Sequence, residues 1–333
     1  VISVIVPAYN AAATLPACLR ALQQQTLALT EYEIIVIDDG STDNTAELAR
    51  QANVKVITQT NQGPATARNT GVAATCGDLV LFTDADCEPL PDWIEQMAAP
   101  FTQPHVMGVK GIYRTMQTQW LPRFIQAEYA DKYRRMMQQE RIDFIDTYSA
   151  GYRRSVFREH GGFDTKFPNP SVEDVELSFR LAALGCWLAL APRAVVSHQH
   201  ATALSHYLRR KWLYGYWRVR VYRRYPNKIM GDSHTAPELK YQLAALSWLC
   251  VSIPLCIWQP TWWLLPLVSV ALLLGTMWPF MARTWSHDQT ITLLAPVIIV
   301  LRDVALLVGL SMGIGSQLLT RWTAARMSRA RST

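Results

Sequence analysis

The sequence predicts an α/β domain on a doubly wound sheet, followed by an α-helical membrane region. Short apolar runs at Ile2–Val6, Ile34–Ile37, Val54–Ile57 and Leu79–Thr83 alternate with helical patterns and short links, as βαβ units do. Three of these runs end in polar clusters: Tyr9-Asn10, Asp38-Asp39 and Asp84-Ala85-Asp86. In an open α/β sheet, ligands sit beyond the carboxyl ends of the strands. Between Tyr241 and Ala282 no residue is charged, a run long enough for two helical crossings of about 20 residues each.

The elements follow in order. Ile2–Val6 is a buried strand ended by Pro7, and Ala11–Gln25 reads as a helix. Ile34–Ile37 is the second strand, and it runs into Asp38-Asp39-Gly40-Ser41-Thr42-Asp43. Ser41 or Thr42 is placed to cap a helix over Thr45–Gln51. Asp38 and Asp43 read as turn and cap residues. Val54–Ile57 is a third strand, and Asn61-Gln62-Gly63-Pro64 turns the chain into a helix over Ala65–Thr75. Leu79-Val80-Leu81-Phe82 is apolar throughout, which suits a strand buried on both faces of a parallel sheet.

Asp84 and Asp86 follow that strand at i and i+2. A pair with this spacing can reach one hard divalent cation, and Mg²⁺ or Mn²⁺ often takes only one or two carboxylates. A solvated turn is the alternative. No G-x-G-x-x-G opens the first helix, and G-x-x-x-x-G-K-[ST] is absent; this argues against a dinucleotide fold and a P-loop nucleotidase. The six cysteines, among them Cys18 and Cys87, lack the spacing of a zinc site and read as free thiols.

Val-Ile-Val-Pro-Ala-Tyr-Asn, Val-Ile-Asp-Asp-Gly-Ser-Thr-Asp-Asn-Thr, Gly-Pro-Ala-Thr-Ala-Arg-Asn-Thr-Gly and Thr-Asp-Ala-Asp occur in that order. Gly161-Gly162-Phe163-Asp164, Val172-Glu173-Asp174-Val175-Glu176-Leu177 and His198 follow. This series resembles the family 2 glycosyltransferases of the GT-A fold over about residues 1–225. The resemblance implies that Pro7, Tyr9 and Asn10 hold a nucleoside, that Asp39 accepts from the base ring, and that Arg68 lies near base and pyrophosphate. It implies a metal, Mn²⁺ or Mg²⁺, at Asp86 with Asp84, which also serves the donor. His198 completes the metal shell, with His200 as its rival. Asp174 is implied as the base that deprotonates the acceptor; Glu176 reads as a residue that positions its helix and is not catalytic. Gly151, Tyr152 and Glu173 fall where the family builds its acceptor and sugar pocket. Leu208-Arg209-Arg210-Lys211-Trp212 partly resembles the Q-x-x-R-W motif of processive synthases, with Trp212 placed to line an acceptor site.

Trp120, Leu121, Phe124, Ile125, Tyr129 and Tyr133 recur near helical spacing, which predicts an amphipathic helix packed on the core or the bilayer. Arg209–Lys228 interleaves eight basic residues with tryptophans and tyrosines. Beside a membrane span, that pattern suits an anionic lipid surface and makes nucleic acid the weaker reading. Gln242–Trp258 and Trp263–Met281 are expected to form a hairpin turning at Gln259-Pro260. Ile291–Leu319 is interrupted by Arg302-Asp303, which are costly in lipid unless paired. That segment is therefore expected to be re-entrant or interfacial, and Gly309, Gly313 and Gly315 would permit close helix packing. Arginines from Arg321 to Arg331 favour a cytoplasmic carboxyl end.

The expected organisation is a GT-A domain over 1–205, a basic and aromatic linker over 206–240, and membrane helices over 241–333. The expected activity is metal-dependent, inverting transfer of one sugar from a nucleotide sugar, UDP-linked, to a membrane lipid: a polyprenyl phosphate or a glycolipid. Multi-pass insertion in the plasma membrane with the catalytic domain cytoplasmic follows. The alternatives are a membrane-anchored nucleotide-sugar-binding protein without catalysis, and a processive polysaccharide synthase.

Overall fold

The computed structural model describes residues 1–167 and 172–330, with side chains up to residue 319. It divides into two compact units. The first comprises Val1–Thr118, Tyr129–His200 and Asp232–His234, and the second Gln119–Glu128, Ala201–Gly231 and Thr235–Thr333.

The first unit runs β1 (Ile2–Ala8), α1 (Leu15–Gln23), β2 (Tyr32–Asp38), α2 (Thr45–Gln51), β3 (Lys55–Thr58), α3 (Pro64–Ala73), β4 (Leu79–Phe82), β5 (Cys87–Pro89), α4 (Trp93–Ala98) and β6 (Val106–Arg114). Helix α5 (Trp120–Met137) begins in the second unit and ends in the first; β7 (Ala150–Arg153), α6 (Arg154–His160), α7 (Glu173–Ala183) and β8 (Trp187–His198) complete the first unit. The eight strands form one sheet in the order β3-β2-β1-β4-β7-β6-β8-β5.

β1 pairs in parallel with both β2 and β4, and β2 with β3. Val4, Val6, Ile35, Val36, Val80, Leu81 and Phe82 are fully buried there, each stabilising the fold by about 1.5–3 kcal/mol relative to exposure. This half matches the expected parallel, doubly wound arrangement. The other half does not: β7 runs antiparallel to β4 and β6, and β5 antiparallel to β8. The sheet is therefore mixed. An apolar run shows that a strand is buried but not which way it points. Gly71 lets α3 lie close on β1, because a Cβ there would stand 2.4 Å from Ile5 Cγ2.

Neither Ser41 nor Thr42 caps α2, whose N-cap position is Asn44. Asp43 Oδ1 accepts the Thr45 N–H at 3.0 Å instead. Ser41 and Thr42 are drawn away by Asn10: Ser41 Oγ accepts the Asn10 N–H at 2.9 Å, and the Thr42 N–H donates to Asn10 Oδ1 at 2.8 Å.

The second unit holds α8 (Leu204–Arg224), α9 (Pro237–Trp258), α10 (Leu264–Trp285) and α11 (Gln289–Ala330). Helices over Pro237–Trp258, Pro260–Trp285 and Gln289–Leu319 are each long and apolar enough to cross a membrane. The hairpin expected at Gln259-Pro260 is present between α9 and α10. The segment expected to be re-entrant is one unbroken helix. It packs along α8 through small residues: a Cβ on Gly309 would meet Trp212 O at 2.1 Å, and one on Gly313 would meet Tyr216 O at 2.5 Å. Gly315 faces open space and takes no part.

Arg302 is paired as the polarity argument requires. Its Nη1 donates to Glu128 Oε1 at 2.7 Å, its Nη2 to Gln242 Oε1 at 2.7 Å, and its Nε to Asp303 Oδ1 at 2.8 Å. Glu128 also receives Tyr207 Oη at 2.9 Å and Lys211 Nζ at 3.4 Å. These cations hold the Glu128 carboxyl down at about 2, against the burial that would raise it. The side chains of Arg321–Ala330 lie outside the described residues, and with them the charge pattern of the tail.

Candidate active site

β2, β1 and β4 are neighbours in the sheet, so their carboxyl ends open on one crevice. Asn10, at φ 50°, ties the loops after β1 and β2 together through Ser41 and Thr42. Pro7 lies in β1 opposite Ile37. Tyr9 leaves its ring on the surface, 53% exposed. Asp39 is buried, and its carboxylate gathers the turn before α3: Oδ1 accepts Gln59 Nε2 at 2.7 Å and the Gln62 N–H at 3.0 Å, while Oδ2 accepts the Gly63 N–H at 2.8 Å. A carboxylate has about four lone-pair sites, so Oδ2 keeps room for one more donor. Asp38 accepts the Ser41 N–H at 3.2 Å, a turn contact.

Arg68, on α3, is buried and forks between two carboxylates. Nη1 reaches Glu173 Oε1 at 3.0 Å and Nη2 reaches Asp84 Oδ1 at 3.1 Å. The metal motif after β4 is thereby fixed to the amino end of α7. Asp174, next to Glu173, accepts the Val175 N–H at 2.7 Å. Burial pushes its carboxyl well above the usual range, Glu173 and Asp146 push it further, and the Val175 bond and Arg68 oppose. Glu176 is bound to Arg180 one turn along α7 at 3.0 Å, in keeping with a positioning role.

Asp86 and His198 meet because β5 pairs with β8 antiparallel, placing Cys87 opposite His198. His198 Nδ1 is 3.6 Å from Asp86 Oδ1, and Cys87 Sγ is 3.6 Å from the same nitrogen. Among the described residues these three form the group whose donor atoms could hold a metal. The Asp86 carboxylate is a donor that Mn²⁺ takes readily and the His198 imidazole can join it, so these two residues fit that ion. Partial burial and Asp84 raise the Asp86 carboxyl, while His198 lowers it. His200 is not a member of this group, although its ring centroid is 5.7 Å from that of His198: its N–H donates to Gln117 Oε1 at 2.6 Å, and its ring stacks on Tyr129. Asp84 is likewise outside it, with Oδ1 held by Arg68.

The acceptor expectations fare differently. Gly151 and Tyr152 sit inside the sheet on β7, both buried; the Tyr152 ring packs on Phe82 and Phe157. They present no surface to an acceptor, because they lie in a central strand of the sheet. Glu173 is committed to Arg68. Trp212 lies in the second unit, on the α8 face that meets Gly309.

The sequence gives little sign of a buried cluster in which Asp146 accepts from Lys110, from Lys132 at 3.2 Å and from Tyr148 Oη at 2.5 Å. Both lysines lower the Asp146 carboxyl despite its burial. Burial in turn lowers the Lys110 ammonium, against Asp146.

The family model described as glycosyl transferase family 2 matches residues 3–161. A pre-mycofactocin glycosyltransferase of Mycobacterium tuberculosis is 28% identical over 264 residues, covering 76% of this chain and 53% of that protein. The chain thus spans about half the length of that relative. A mannosyltransferase of Pyrobaculum calidifontis, solved with GDP-Man and Mn²⁺, superposes with a TM-score of 0.58 at 18% identity, covering 94% of this chain and 86% of that one. Glucosyl-3-phosphoglycerate synthase from Mycobacterium tuberculosis, solved with Mn²⁺, UDP and glucosyl-3-phosphoglycerate, superposes with a TM-score of 0.50 at 22% identity, covering 67% of this chain and 79% of that one. The mixed sheet, the motifs at its strand ends and these likenesses agree: the chain carries a glycosyl transferase family 2 domain on the GT-A fold.

Proposed function

We propose that the protein transfers one sugar from a nucleotide sugar to a membrane lipid acceptor, with inversion and with a divalent cation. The observation that carries this reading is the Arg68 fork, which locks the Asp84–Asp86 turn to the helix bearing Asp174. A binding protein needs the first group but has no use for the second.

In this reading the crevice holds the donor. Tyr9 offers its exposed ring to the base, and Asp39 Oδ2 has room for an imide N–H, which suits uracil. Asp86 and His198 would hold the cation, Mn²⁺ or Mg²⁺, which supplies positive charge to the diphosphate as it leaves. Asp174 takes the acceptor proton while the hydroxyl attacks the anomeric carbon in line. Burial raises its proton affinity, as suits a group that must take up a proton. Arg68 keeps Asp84 and Glu173 from repelling one another across the site. The structures solved with GDP-Man or UDP and Mn²⁺ support a nucleotide donor and a metal as a class.

The second unit supports a lipid acceptor. Arg220, Arg223 and Arg224 of α8 are exposed, and an arginine in hydrocarbon costs at least about 2.5–3.5 kcal/mol. α8 therefore belongs at the anionic, cytoplasmic surface. Tyr216 Oη lies 3.0 Å from Ser316 Oγ, and Arg223 Nη1 donates to Gln317 Oε1 at 2.5 Å, so the carboxyl half of α11 shares that level. α9 and α10 then supply two crossings of the plasma membrane. Membranes carrying the protein, given UDP- or GDP-sugars with Mn²⁺, should yield a glycosylated lipid visible by mass spectrometry. A protein that binds no nucleotide sugar, or transfers only to soluble acceptors, would refute this reading.

A further inference from the structure

The buried cluster around Asp146 has no place in the transfer step. Taking charges out of water is expensive, and their mutual attraction recovers that cost only where geometry and hydrogen bonding are good. Here they are good. Lys110, on β6 opposite Ala150 of β7, is fully buried. Its ammonium meets Asp146 Oδ2 and lies 3.1 Å from Tyr148 Oη. The ring centroids of Tyr148, Phe144 and Tyr133 stand 4.9, 5.3 and 5.7 Å from it. Lys132, on α5, reaches the same Oδ2 at 3.2 Å, and Tyr148 Oη donates to it at 2.5 Å. Asp146 also feels His234, in the segment that follows α8. Surroundings so rich in rings screen charge poorly, so these charges act beyond contact.

The cluster is tied to the helix that bears Asp174. Ile145, next to Asp146, donates its N–H to Ser178 Oγ at 3.0 Å, and Ser178 Oγ donates to the Asp174 carbonyl oxygen at 2.7 Å. Ser178 is fully buried, so this tie holds the Asp146 segment to the first turn of α7. Lys110 answers to two carboxylates: burial disfavours its ammonium, while Asp146 and then Asp174 favour it. Asp174 answers to two sets of charges. Among the described residues, Glu173 of its own helix, Asp146 and Lys110 of the cluster, Arg68 of α3 and the Tyr152 phenol of β7 interact with it.

We infer that Lys110 and Asp146 are positioning residues whose fixed, buried charges set the pH at which Asp174 becomes an ionised base. The inference rests on the reading of Asp174 as the base, and goes further by assigning control of its ionisation to a cluster on other elements. The two charges act in opposite senses. Asp146 repels the ionised Asp174, and Lys110 attracts it. Lys110→Met should therefore raise the pH at which Asp174 ionises, because Lys132 keeps Asp146 charged. Asp146→Asn should lower it. Each shift should be about 1 pH unit, an ordinary size for the effect of a neighbouring charge. A role in packing alone gives no reason for opposite signs.

The test uses the full chain in detergent and reads Asp174 without turnover. Each protein is melted across pH beside its own Asp174→Asn counterpart. A carboxyl raised by folding costs stability as pH climbs above its unfolded value, and the cost stops growing at its folded value. The gap in melting temperature should widen with pH and level off where Asp174 ionises. That plateau should begin at higher pH in Lys110→Met and at lower pH in Asp146→Asn. Lys110→Arg, which keeps the charge, should leave it at the wild-type pH. The acid limb of lipid glycosylation should move with the plateau. Plateaus that begin at one pH in all these proteins, or that move the same way in both variants, overturn the inference; if wild type still glycosylates lipid, the transfer reading stands. Opposite shifts without transfer by wild type support the charge control and overturn the transfer reading. If one variant fails to fold, the other is read against Lys110→Arg. If both fail, Lys132→Met removes the second cation from the same oxygen, and a plateau that does not rise overturns the inference.

Discussion

Arg68 Nη1 stands 3.0 Å from Glu173 Oε1, both side chains buried, across 105 residues of sequence. Removing one partner of a buried ion pair leaves the other charge uncompensated, at about 3–5 kcal/mol. Arg68→Ala should cost that much and abolish transfer, because it frees Asp84 as well. Arg68→Met with Glu173→Leu should recover part of the stability and none of the activity. Denaturant melts of the single and double variants check this; a double variant that loses the sum of the single losses would show that the two side chains act independently.

Asp86→Ala should abolish metal-dependent UDP binding, measured by calorimetry with and without Mn²⁺. His198→Ala should lower metal affinity by about 10–100-fold while leaving the metal-free melting temperature near that of wild type. A sharp fall in that temperature with metal affinity unchanged would make His198 a packing residue only.

The parts of this site differ in how far the sequence exposes them. The central residues of β1, β2 and β4 are apolar because both faces are covered, and the polar ends stand out against that background. The strand ends and Asp86 are therefore legible, whereas Asp174, on α7, is reached only through the resemblance of its motif. Cys87 is not legible: its partner His198 lies 111 residues away and meets it only through antiparallel β5–β8 pairing, which no local pattern encodes. Gly151 and Tyr152 mislead for the opposite reason. The resemblance puts them in a sugar pocket, and only their registry with Leu81 and Val80 shows that they are buried in the sheet. In α11, hydropathy shows an apolar helix, but the close approach of Gly309 to Trp212 shows that part of it packs on α8.

Asp174→Asn should keep donor affinity and lower kcat by about 10²–10⁴ if the acceptor is a hydroxyl. The wild-type carboxyl is raised, and the base must be ionised to work. Transfer should therefore fall as pH drops through a pKa above the usual carboxylate range, and the variant should lose that limb of the profile. A lipid phosphate acceptor, already ionised, should give a smaller loss and a flatter profile.

Gly309→Leu should separate α8 from α11, because even a Cβ would stand 2.1 Å from Trp212 O. The expected outcome is a lower melting temperature in detergent and faster proteolysis within Leu204–Arg224. Gly315→Ala, which meets open space, should be neutral or slightly stabilising. Equal effects of the two substitutions would refute this packing.

Glu128 gives a stability prediction with a defined pH window. Its carboxyl falls from 4.5 to about 2 on folding, because Lys211 and Arg302 surround it. A carboxyl lowered by folding stabilises the protein above its unfolded pKa, and that contribution is lost as pH falls through the folded value. At about 1.4 kcal/mol per unit, the contribution is about 3 kcal/mol. Glu128→Gln keeps the shape and removes the charge, so it should be less stable than wild type at pH 7. The gap should hold down to about pH 4.5, narrow below it, and close near pH 2. Melting curves of both proteins in one detergent across that range measure the gap directly. A gap that stays constant with pH would mean that Glu128 acts through hydrogen-bond geometry alone, without its charge.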